Sequence, residues 1–313
     1  MKGLKIFTPE DFPLEFRTAI TIGSFDGIHL GHKALLQRAK ELANELKATP
    51  VVVTFDPHPR KVLFPESHFK LLTTIEEKLE LIEKEGINHI CLVPFTRVLA
   101  ELSADLFVEK YLVDGLKVQA VVVGFNFRFG KGREGNIDVL KRLGRVFEFR
   151  AESLGPIKVN GLTVSSSTIR GLIEKGEVEK AGELLGHPYF FSGEVIKGKG
   201  RGVKLGFPTA NLKVPEEKLL PPPGVYGVKA MVKGQKFFGA MNIGRNPTFD
   251  EKELSVEVHL FDFSGNLYGE VLRVEVLKFV REEKKFASPE ELRLQIKKDC
   301  EFLKNCFKSF PLS

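Results

Sequence analysis

The chain of 313 residues is 42% hydrophobic and 28% charged, which is typical of a soluble globular protein large enough for two cores. Its net charge of +6 is modest and dispersed, which favours small phosphorylated ligands over nucleic acid. We find no signal-peptide pattern and no apolar run that would span a bilayer, so we expect no membrane association. The three cysteines lack metal-binding spacing and favour a reducing, cytoplasmic location.

The first half of the chain alternates short apolar runs with helical patterns, which predicts a doubly wound α/β domain around a parallel sheet. The predicted strands are Ala19–Ile22, Val51–Phe55, Ile90–Pro94, Ala120–Val123 and Val146–Phe149. The predicted helices are Ala34–Leu46, Glu76–Glu85 with a capping box from Thr73 to Glu76, and Ala104–Val113 capped by Ser103. Ligands of such sheets bind at the carboxyl ends of the strands, so we expect segments 23–32, 56–60 and 124–132 to converge.

The pattern changes near residue 185, where the predicted helix Val178–Leu185 ends at Gly186. Two-residue alternation then predicts an all-β domain built as a small barrel. Its predicted strands are Gly193–Ile196, Val225–Val232, Phe237–Ile243, Leu254–Phe263 and Val271–Phe279, with a hairpin tip at Gly265-Asn266 and a final helix opened by a capping box from Ser288 to Glu291. We therefore predict two domains, residues 1–185 and 186–313.

Residues 23–32 read Gly-Ser-Phe-Asp-Gly-Ile-His-Leu-Gly-His and join a predicted strand to a predicted helix. The glycines let a ligand approach the backbone, and the helix N-terminus favours an anion. His29 and His32 are suited to activating a nucleophile, binding a metal or contacting phosphate. The helix dipole disfavours an imidazolium unless a phosphate balances it, so we favour phosphate contact. The simpler alternative is a pair of surface histidines that cap the helix.

Three further segments carry candidate ligand contacts. Residues 56–60 add His58 and Arg60 at a strand end, but they suit a plain turn equally well. The aromatic residues of segment 125–129 would wall a ligand ring or face the core. The hydroxyl-rich helix start 165–170 suits a polyphosphate, although serines are also ordinary N-caps.

The second domain has its own candidates. The glycine-rich basic loop 198–202 would wrap phosphates with backbone N–H groups. Thr209 and Asn211 share one face of an extended segment, and their neutral oxygens suit Mg²⁺ or a capped turn. Glu257 shares a strand face with Ser255 and His259, so it is either a general base at a cleft or part of a solvated face.

Taken in order, these motifs resemble those of the bacterial bifunctional riboflavin kinase/FAD synthetases. Segment 23–32 is similar to the G-x-F-D-G-x-H-x-G-H form of the nucleotidylyltransferase signature, and segments 54–59, 124–130 and 165–170 complete the adenylyltransferase pattern. The matches to the flavokinase half are 198–202, 206–211, 222–226, 242–248 and 256–269. The resemblance implies an N-terminal Rossmann-like nucleotidylyltransferase domain and a C-terminal six-stranded Greek-key barrel with a terminal helix.

The resemblance also implies two reactions: ATP phosphorylates riboflavin to FMN, and FMN then attacks the α-phosphorus of ATP to give FAD and pyrophosphate. In the first domain it implies phosphate contacts from His29, His32 and Arg170. The other ATP-binding residues would be Gly23, Ser24, Phe25, Asp26, Gly31, Asn126, Ser165 and Ser166. Some relatives carry Asp at the position of Asn126, and Ser167 replaces the usual threonine of the serine motif.

In the second domain the resemblance implies that Glu257 takes the hydroxyl proton of riboflavin, while Thr209 and Asn211 hold Mg²⁺. The ATP-binding loop would comprise Gly198, Lys199, Gly200 and Arg201, and the flavin contacts of the whole chain would be Phe127, Phe129, Arg281 and Phe286. ATP serves as co-substrate, and no permanently bound prosthetic group is required.

We expect small-molecule partners, namely riboflavin, FMN, FAD and ATP, without nucleic acid or membrane, and we leave weak self-association open. The alternative enzyme is a nucleotidylyltransferase for another phosphorylated alcohol, with the barrel as an accessory. A nucleic-acid-binding protein is disfavoured, because the chain has neither a K-M-S-K-S stretch nor a long basic face. A flavin sensor without catalysis would not need two sets of ATP-handling motifs.

Overall fold

The structure, a computed structural model, describes residues 3–198, 200–245 and 254–308, and of Arg201 and Arg245 it describes the backbone alone. The chain divides into two compact units, residues 1–166 and 167–313. The first unit is an α/β domain and the second is built on a barrel, as predicted. The domain boundary after residue 185 stays a prediction.

A parallel six-stranded sheet forms the centre of the first unit, in the order β1-β4-β3-β2-β5-β6. Its strands are β1 (Lys5–Phe7), β2 (Thr18–Ile22), β3 (Thr49–Asp56), β4 (His89–Pro94), β5 (Val118–Gly124) and β6 (Arg150–Leu154), followed by the antiparallel hairpin of β7 (Lys158–Val159) and β8 (Leu162–Thr163). All five residues of β2 are buried, because both faces of the sheet are covered. The chain runs from β2 to β3 on one side while β5 flanks β2 on the other, so a ligand crevice is expected between β2 and β5.

Helices connect these strands and cover the sheet. They are α1 (Leu30–Leu46), α2 (Pro59–Leu63), α3 (Ile75–Lys84), α4 (Arg97–Ala100), α5 (Ala104–Phe107) and α6 (Ile137–Val146), with a π-helical turn at Val108–Gly115 and 3₁₀ turns at Pro9–Asp11, Pro65–Ser67 and Lys131–Arg133. Alternate strand residues such as Ile20, Ile22, Val121 and Val123 pack on one face of the sheet against the π-helical turn and α6. Cys91 is also buried in this core.

Two local predictions in this unit are wrong. No strand covers Val146–Phe149: α6 extends to Val146, and β6 begins at Arg150. Val146 is 65% exposed, whereas a residue inside this sheet would be buried, because both faces of the sheet are covered. The capping box of α3 joins Thr74 to Glu77, one residue later than predicted. The hydroxyl of Thr73 is engaged elsewhere, since it donates to the carboxylate of Asp26.

Secondary structure in the second unit begins with two helices and continues into a closed barrel of strand order β10-β13-β12-β11-β14-β9. The elements are α7 (Ser166–Glu174), α8 (Val178–Leu185), β9 (Tyr189–Ile196), α9 (Arg201–Leu205), β10 (Ala210–Lys213), β11 (Gly224–Val232), β12 (Gln235–Arg245), β13 (Leu254–Leu260), β14 (Val271–Glu282) and α10 (Pro289–Phe307). The six-stranded barrel and its terminal helix are confirmed. The short strand β10 lay outside the predicted strands.

The predicted hairpin tip at Gly265-Asn266 is wrong, because β13 and β14 are not neighbours. Strand β13 pairs with β10 and β12, whereas β14 pairs with β9 and β11. Residues 261–270 therefore cross between separated strands. The start of α10 also differs in detail: Ser288 accepts from the Glu291 N–H at 3.2 Å, but the Glu291 carboxylate accepts from the Ala287 N–H instead of closing a capping box.

Helix α10 is attached to the barrel by packing and by one buried ion pair. Leu303 and Phe307 pack against Phe261, and the close approach requires Gly227, where a Cβ would lie 2.5 Å from Leu303 Cδ2. The Arg281 guanidinium on β14 donates to both carboxylate oxygens of Asp299, with Nη2 at 2.8 Å from Oδ2. The two side chains are 16% and 7% exposed, so the pair is largely screened from water.

We expect Asp299→Ala to destabilise the barrel by about 3 kcal/mol, because removal of one partner leaves a buried charge uncompensated. Three of the four tyrosines follow residue 166, so tyrosine fluorescence in a urea titration reports mainly on this unit. The matched control is Asp262→Asn, which removes the charge of the exposed Lys304–Asp262 pair, keeps a residue that tolerates the φ of 56° at this position, and should cost less than about 1 kcal/mol. Equal effects of the two substitutions would contradict this account of how α10 is held.

Candidate functional site

The loop that follows β2 is held from three directions by hydrogen bonds. Asp26 is 1% exposed, and its carboxylate accepts from the N–H groups of Leu72 at 3.1 Å and Thr73 at 2.9 Å. The Thr54 hydroxyl at the end of β3 donates to the Ser24 carbonyl at 3.2 Å. The Ser166 hydroxyl at the start of α7 donates to the Asp26 carbonyl at 2.9 Å. The loop is therefore a rigid support for the helix start that it leads into.

His29 and His32 form one block at this helix start. His29 is the N-cap of α1, and its Nδ1 accepts from the His32 N–H at 3.2 Å. The two rings stack with centroids 3.6 Å apart and planes 13° from parallel. Gly31 leaves space for this stack, since a Cβ there would lie 3.1 Å from His29 Cε1. Because Nδ1 of His29 accepts a hydrogen bond, the proton of its neutral ring is on Nε2.

The environment favours a neutral His32. Burial, reinforced by the neighbouring His29 and Lys78, holds the pKa of His32 well below its ordinary value. Its Nδ1 is buried and has no hydrogen-bond partner among the residues that the structure describes. A neutral imidazole at a helix N-terminus donates an N–H to a phosphate oxygen without any change of protonation state.

The other predicted ATP-binding residues of this unit contribute in different ways. The ring of Phe25 is fully buried, with its centroid 5.0 Å from that of the His32 ring, and the Asp26 carboxylate accepts hydrogen bonds from segment 72–73. A nucleotide would therefore contact the backbone, and not the side chain, of these two residues. Gly23, like Ser24, lies in the loop itself, and its N–H donates to the Val53 carbonyl at 3.1 Å. Ser166 opens α7 and Ser165 precedes it. Arg170 is one helical turn beyond Ser166, on the same helix face.

The three predicted loops follow the neighbouring strands β3, β2 and β5, so their convergence at one sheet edge is confirmed. Asn126 is exposed in the loop after β5. Phe127 and Phe129 stack at 5.5 Å and pack against the core, whereas Phe125 is 48% exposed. Flavin contact by Phe127 and Phe129 stays a prediction, and Phe125 is the more accessible ring. His58 caps α2, and its Nδ1 accepts from the Arg60 N–H at 3.1 Å.

A second polar cluster lies on the barrel. The Thr209 hydroxyl donates to Glu257 Oε2 at 3.1 Å. Asn211 on β10 and Asn242 on β12 are each directly opposite Glu257 in the strand register. Paired residues project from the same side of a sheet, so the carboxylate lies between two amides. Val256 and Val258 point into the barrel, which confirms the predicted alternation along β13. Asn242 is a residue of this cluster that is not among the predicted site residues, although it lies in the motif 242–248.

The glycine-rich loop packs against this cluster. A Cβ on Gly198 would overlap the amide of Asn211, and one on Gly202 would lie 3.0 Å from the Thr209 hydroxyl. Gly200 has a φ of 66° and precedes α9. Lys199 and the side chain of Arg201 lie outside the described residues, as do residues 246–248 of the motif 242–248.

The remaining candidates of the second unit are Arg281 and Phe286. The Arg281 guanidinium is bound by Asp299, and its central carbon is 5.9 Å from the Phe286 ring centroid. Arg281 therefore anchors α10 and supports Phe286, while flavin contact by either residue stays a prediction.

Lys78 is a residue near the first site that sequence reasoning missed. It is 5% exposed, and its Nζ is 3.5 Å from the Phe55 carbonyl oxygen at the end of β3. A signal was present, because Lys78 is spaced three residues after Ile75 and four before the buried Ile82 on α3. The helical period therefore puts this lysine on the core-facing side.

Comparisons with known proteins cover both units. The FAD synthetase family model matches residues 13–168, and the riboflavin kinase model matches residues 185–307. A bifunctional riboflavin kinase/FMN adenylyltransferase of Bacillus subtilis is 41% identical, with 96% of each chain covered. Proteins of the same description from Haemophilus influenzae and Escherichia coli K12 are each 37% identical, covering 93% and 90% of this chain and 94% and 90% of their own.

A solved structure is also similar over nearly the whole chain. It is described as a macrolide-efflux protein from Streptococcus pneumoniae, and it matches with a TM-score of 0.88 and 31% identity over 96% of this chain and 99% of its own. Among the helices formed by the described residues, none combines the length and apolar character needed to cross a membrane.

Proposed function

The chain belongs to the bifunctional riboflavin kinase/FMN adenylyltransferases, and on that premise we propose that the site at His29 and His32 transfers AMP while the site at Glu257 transfers phosphate. As a member of this family, the chain converts riboflavin to FMN and FMN to FAD. One observation carries the proposal: each polar cluster lies within the part of the chain that matches the family model for the corresponding reaction. The stacked histidines lie within residues 13–168, and the Thr209–Glu257 pair lies within residues 185–307.

In the adenylyl transfer, a phosphate oxygen of FMN forms a bond to the α-phosphorus of ATP while the bond to the pyrophosphate oxygen breaks. The FMN phosphate is already ionised, so the reaction needs positioning and charge stabilisation rather than a general base. The N–H groups of His29 and His32 would donate to the ATP phosphates beside the positive end of α1. Ser166 and Arg170, on one face of α7, would hold the departing pyrophosphate.

In the kinase reaction, Glu257 would accept the proton of the riboflavin 5′-hydroxyl as its oxygen attacks the γ-phosphorus and ADP leaves. The hydrogen bond from Thr209 orients one carboxylate oxygen, which leaves the other for the substrate. The tight fit between Gly198 and Asn211 places the glycine-rich loop beside the same carboxylate. The loop would bring backbone N–H groups to the phosphates.

We propose that Mg²⁺ binds at Thr209 and Asn211. Within the described residues no group of three or more His, Cys, Asp or Glu could hold a metal, so a cation here would use neutral side-chain oxygens and substrate phosphates. Thr209 and Asn211 fit that requirement, because they supply such oxygens next to a carboxylate. When bound, Mg²⁺ would neutralise charge on the transferred phosphoryl group.

We also propose a cytoplasmic location and action on small molecules without nucleic acid. Both reactions consume ATP, and the described cysteines are free thiols. Burial, with a smaller effect of Asp11, raises the pKa of Cys91 to about 12, so this thiol is unreactive and suited to a reducing compartment.

The function is tested by incubating the purified chain with riboflavin, ATP and Mg²⁺ and separating the products by chromatography. We expect FMN first and then FAD with pyrophosphate. If neither product forms, the assigned function is wrong. Formation of FMN without FAD would support phosphate transfer at the barrel and contradict AMP transfer at the histidine site.

A further inference from the structure

A buried lysine, whose charge acts on His32, is not used by the mechanism described so far. Lysine is rarely buried without a partner, because removing an ammonium group from water is costly. Lys78 nevertheless is 5% exposed on α3, near the carboxyl end of β3. Its ammonium donates to the backbone carbonyl of Phe55, with Nζ 3.5 Å from the oxygen.

Charged groups from three elements act on Lys78. Burial lowers the pKa of Lys78, whereas Asp26, from the loop after β2, and Asp56, at the end of β3, oppose this shift by attracting the ammonium. His32 on α1 lies close enough to be repelled by it. Among the described residues, the Phe55 carbonyl is the one hydrogen-bond acceptor found for this ammonium, which has three donors. The lysine therefore serves as a buried positive charge at the point where the loops after β2 and β3 meet.

The N-terminal end of α3 is fixed by the same loop that supports the histidines. The Asp26 carboxylate binds Leu72 and Thr73, and the Gly27 N–H donates to the Thr73 hydroxyl at 3.1 Å. Thr74 then caps α3, and Lys78 follows one turn later. These hydrogen bonds connect the loop after β2 to the start of α3, so they fix the position of Lys78 relative to the loop that leads into α1.

We propose that Lys78 is a positioning residue for adenylyl transfer, whose ammonium holds the loops after β2 and β3 together and so positions His32 to donate an N–H to the ATP phosphates. This inference rests on the proposed function of the histidine site. The adjacent positive charge disfavours an imidazolium, and burial and His29 act in the same direction. The same charge also strengthens the attraction of the site for a polyanion.

The test compares Lys78→Gln with Lys78→Arg and with Lys84→Gln in the full-length chain. Glutamine can still donate to the Phe55 carbonyl but carries no charge, whereas arginine keeps the charge. Lys84 is the matched control, because it lies on the same helix with its side chain 56% exposed. We expect Lys78→Gln to lower kcat/KM for ATP in FAD formation about tenfold or more, mainly through KM, with Lys78→Arg close to wild type.

Two further readouts separate positioning from a general loss of structure. Riboflavin phosphorylation by the same molecules should be unchanged. In the Gln variant the pKa of His32, followed by NMR, should rise, so the acid limb of the FAD-forming pH profile should move to higher pH. A folded Lys78→Gln variant with unchanged KM for ATP, or with an unchanged His32 pKa, overturns the proposal.

Failure of this inference is distinguishable from failure of the site itself. If substitution of His29 abolishes FAD formation while Lys78→Gln does not, the site stands and the role of Lys78 is wrong. If the Gln variant fails to fold, the Lys78→Arg variant decides by its His32 pKa. That pKa must stay well below the ordinary value, as in the wild type, and a rise toward the ordinary value overturns the proposal.

Discussion

Glu257→Gln is expected to lower the kcat of riboflavin phosphorylation by about 10³-fold, the range of a lost general base. Glutamine keeps the size of the side chain and can still accept from the Thr209 hydroxyl, so the cluster should remain folded. What disappears is the ability to take a proton from the substrate. The measurement is the initial rate of FMN formation from riboflavin at saturating ATP and Mg²⁺.

The same variant contains its own control. FAD formation from added FMN should stay within about twofold of wild type, since additivity holds for independent sites. Glu270→Gln serves as the matched carboxylate substitution, because Glu270 is on the same barrel and pairs with the exposed Lys233. Retention of FMN formation by Glu257→Gln would show that another group accepts the proton, even if the kinase function itself is correct.

His29→Asn is expected to have the opposite selectivity, lowering kcat/KM for FAD formation by about 10²- to 10³-fold while FMN formation continues. Asparagine is among the best N-caps, so its side-chain oxygen replaces Nδ1 as acceptor for the His32 N–H and α1 still begins at Leu30. The variant therefore removes the imidazole N–H from the phosphate site without removing the cap. The rate of FAD formation from FMN and ATP is the measurement.

His68→Asn is the matched control for this substitution. His68 is exposed and has a φ of 45°, a conformation that asparagine tolerates. It should leave both activities unchanged. If His29→Asn formed FAD at the wild-type rate, the histidines would be helix caps alone, which is the alternative that the sequence left open.

The elements that sequence analysis placed well are those with strong local signals. The helix Val178–Leu185 has the predicted ends, because its apolar period and the following Gly186, with a φ of 69°, both act within a few residues. Alternation found five of the six barrel strands but not the short β10; four of the five extend beyond the predicted ends, and β13 stops three residues earlier, at Leu260. The errors arose where distant partners compete: Thr73 pairs with Asp26, 47 residues away, and so Thr74 caps α3.

The candidate sites show the same division. Local motifs singled out His29, His32, Thr209 and Glu257, because a glycine-rich helix start or a polar strand face is readable over ten residues. Phe127 and Phe129 could not be separated from Phe125 in this way, since burial depends on where the core lies. Lys78 was overlooked because its importance depends on neighbours from two other segments.

The sequence by itself determined the order of the two domain types, the histidine helix start and the polar face of β13, since each depends on interactions between residues close in the chain. Tertiary structure alone decided the strand order, which puts the loops after β2, β3 and β5 at one edge and sets Glu257 between Asn211 and Asn242. It also decided that Lys78 is buried near the end of β3, where its charge acts on His32. The physical reason is that burial and strand pairing join residues tens of positions apart, where no local propensity acts.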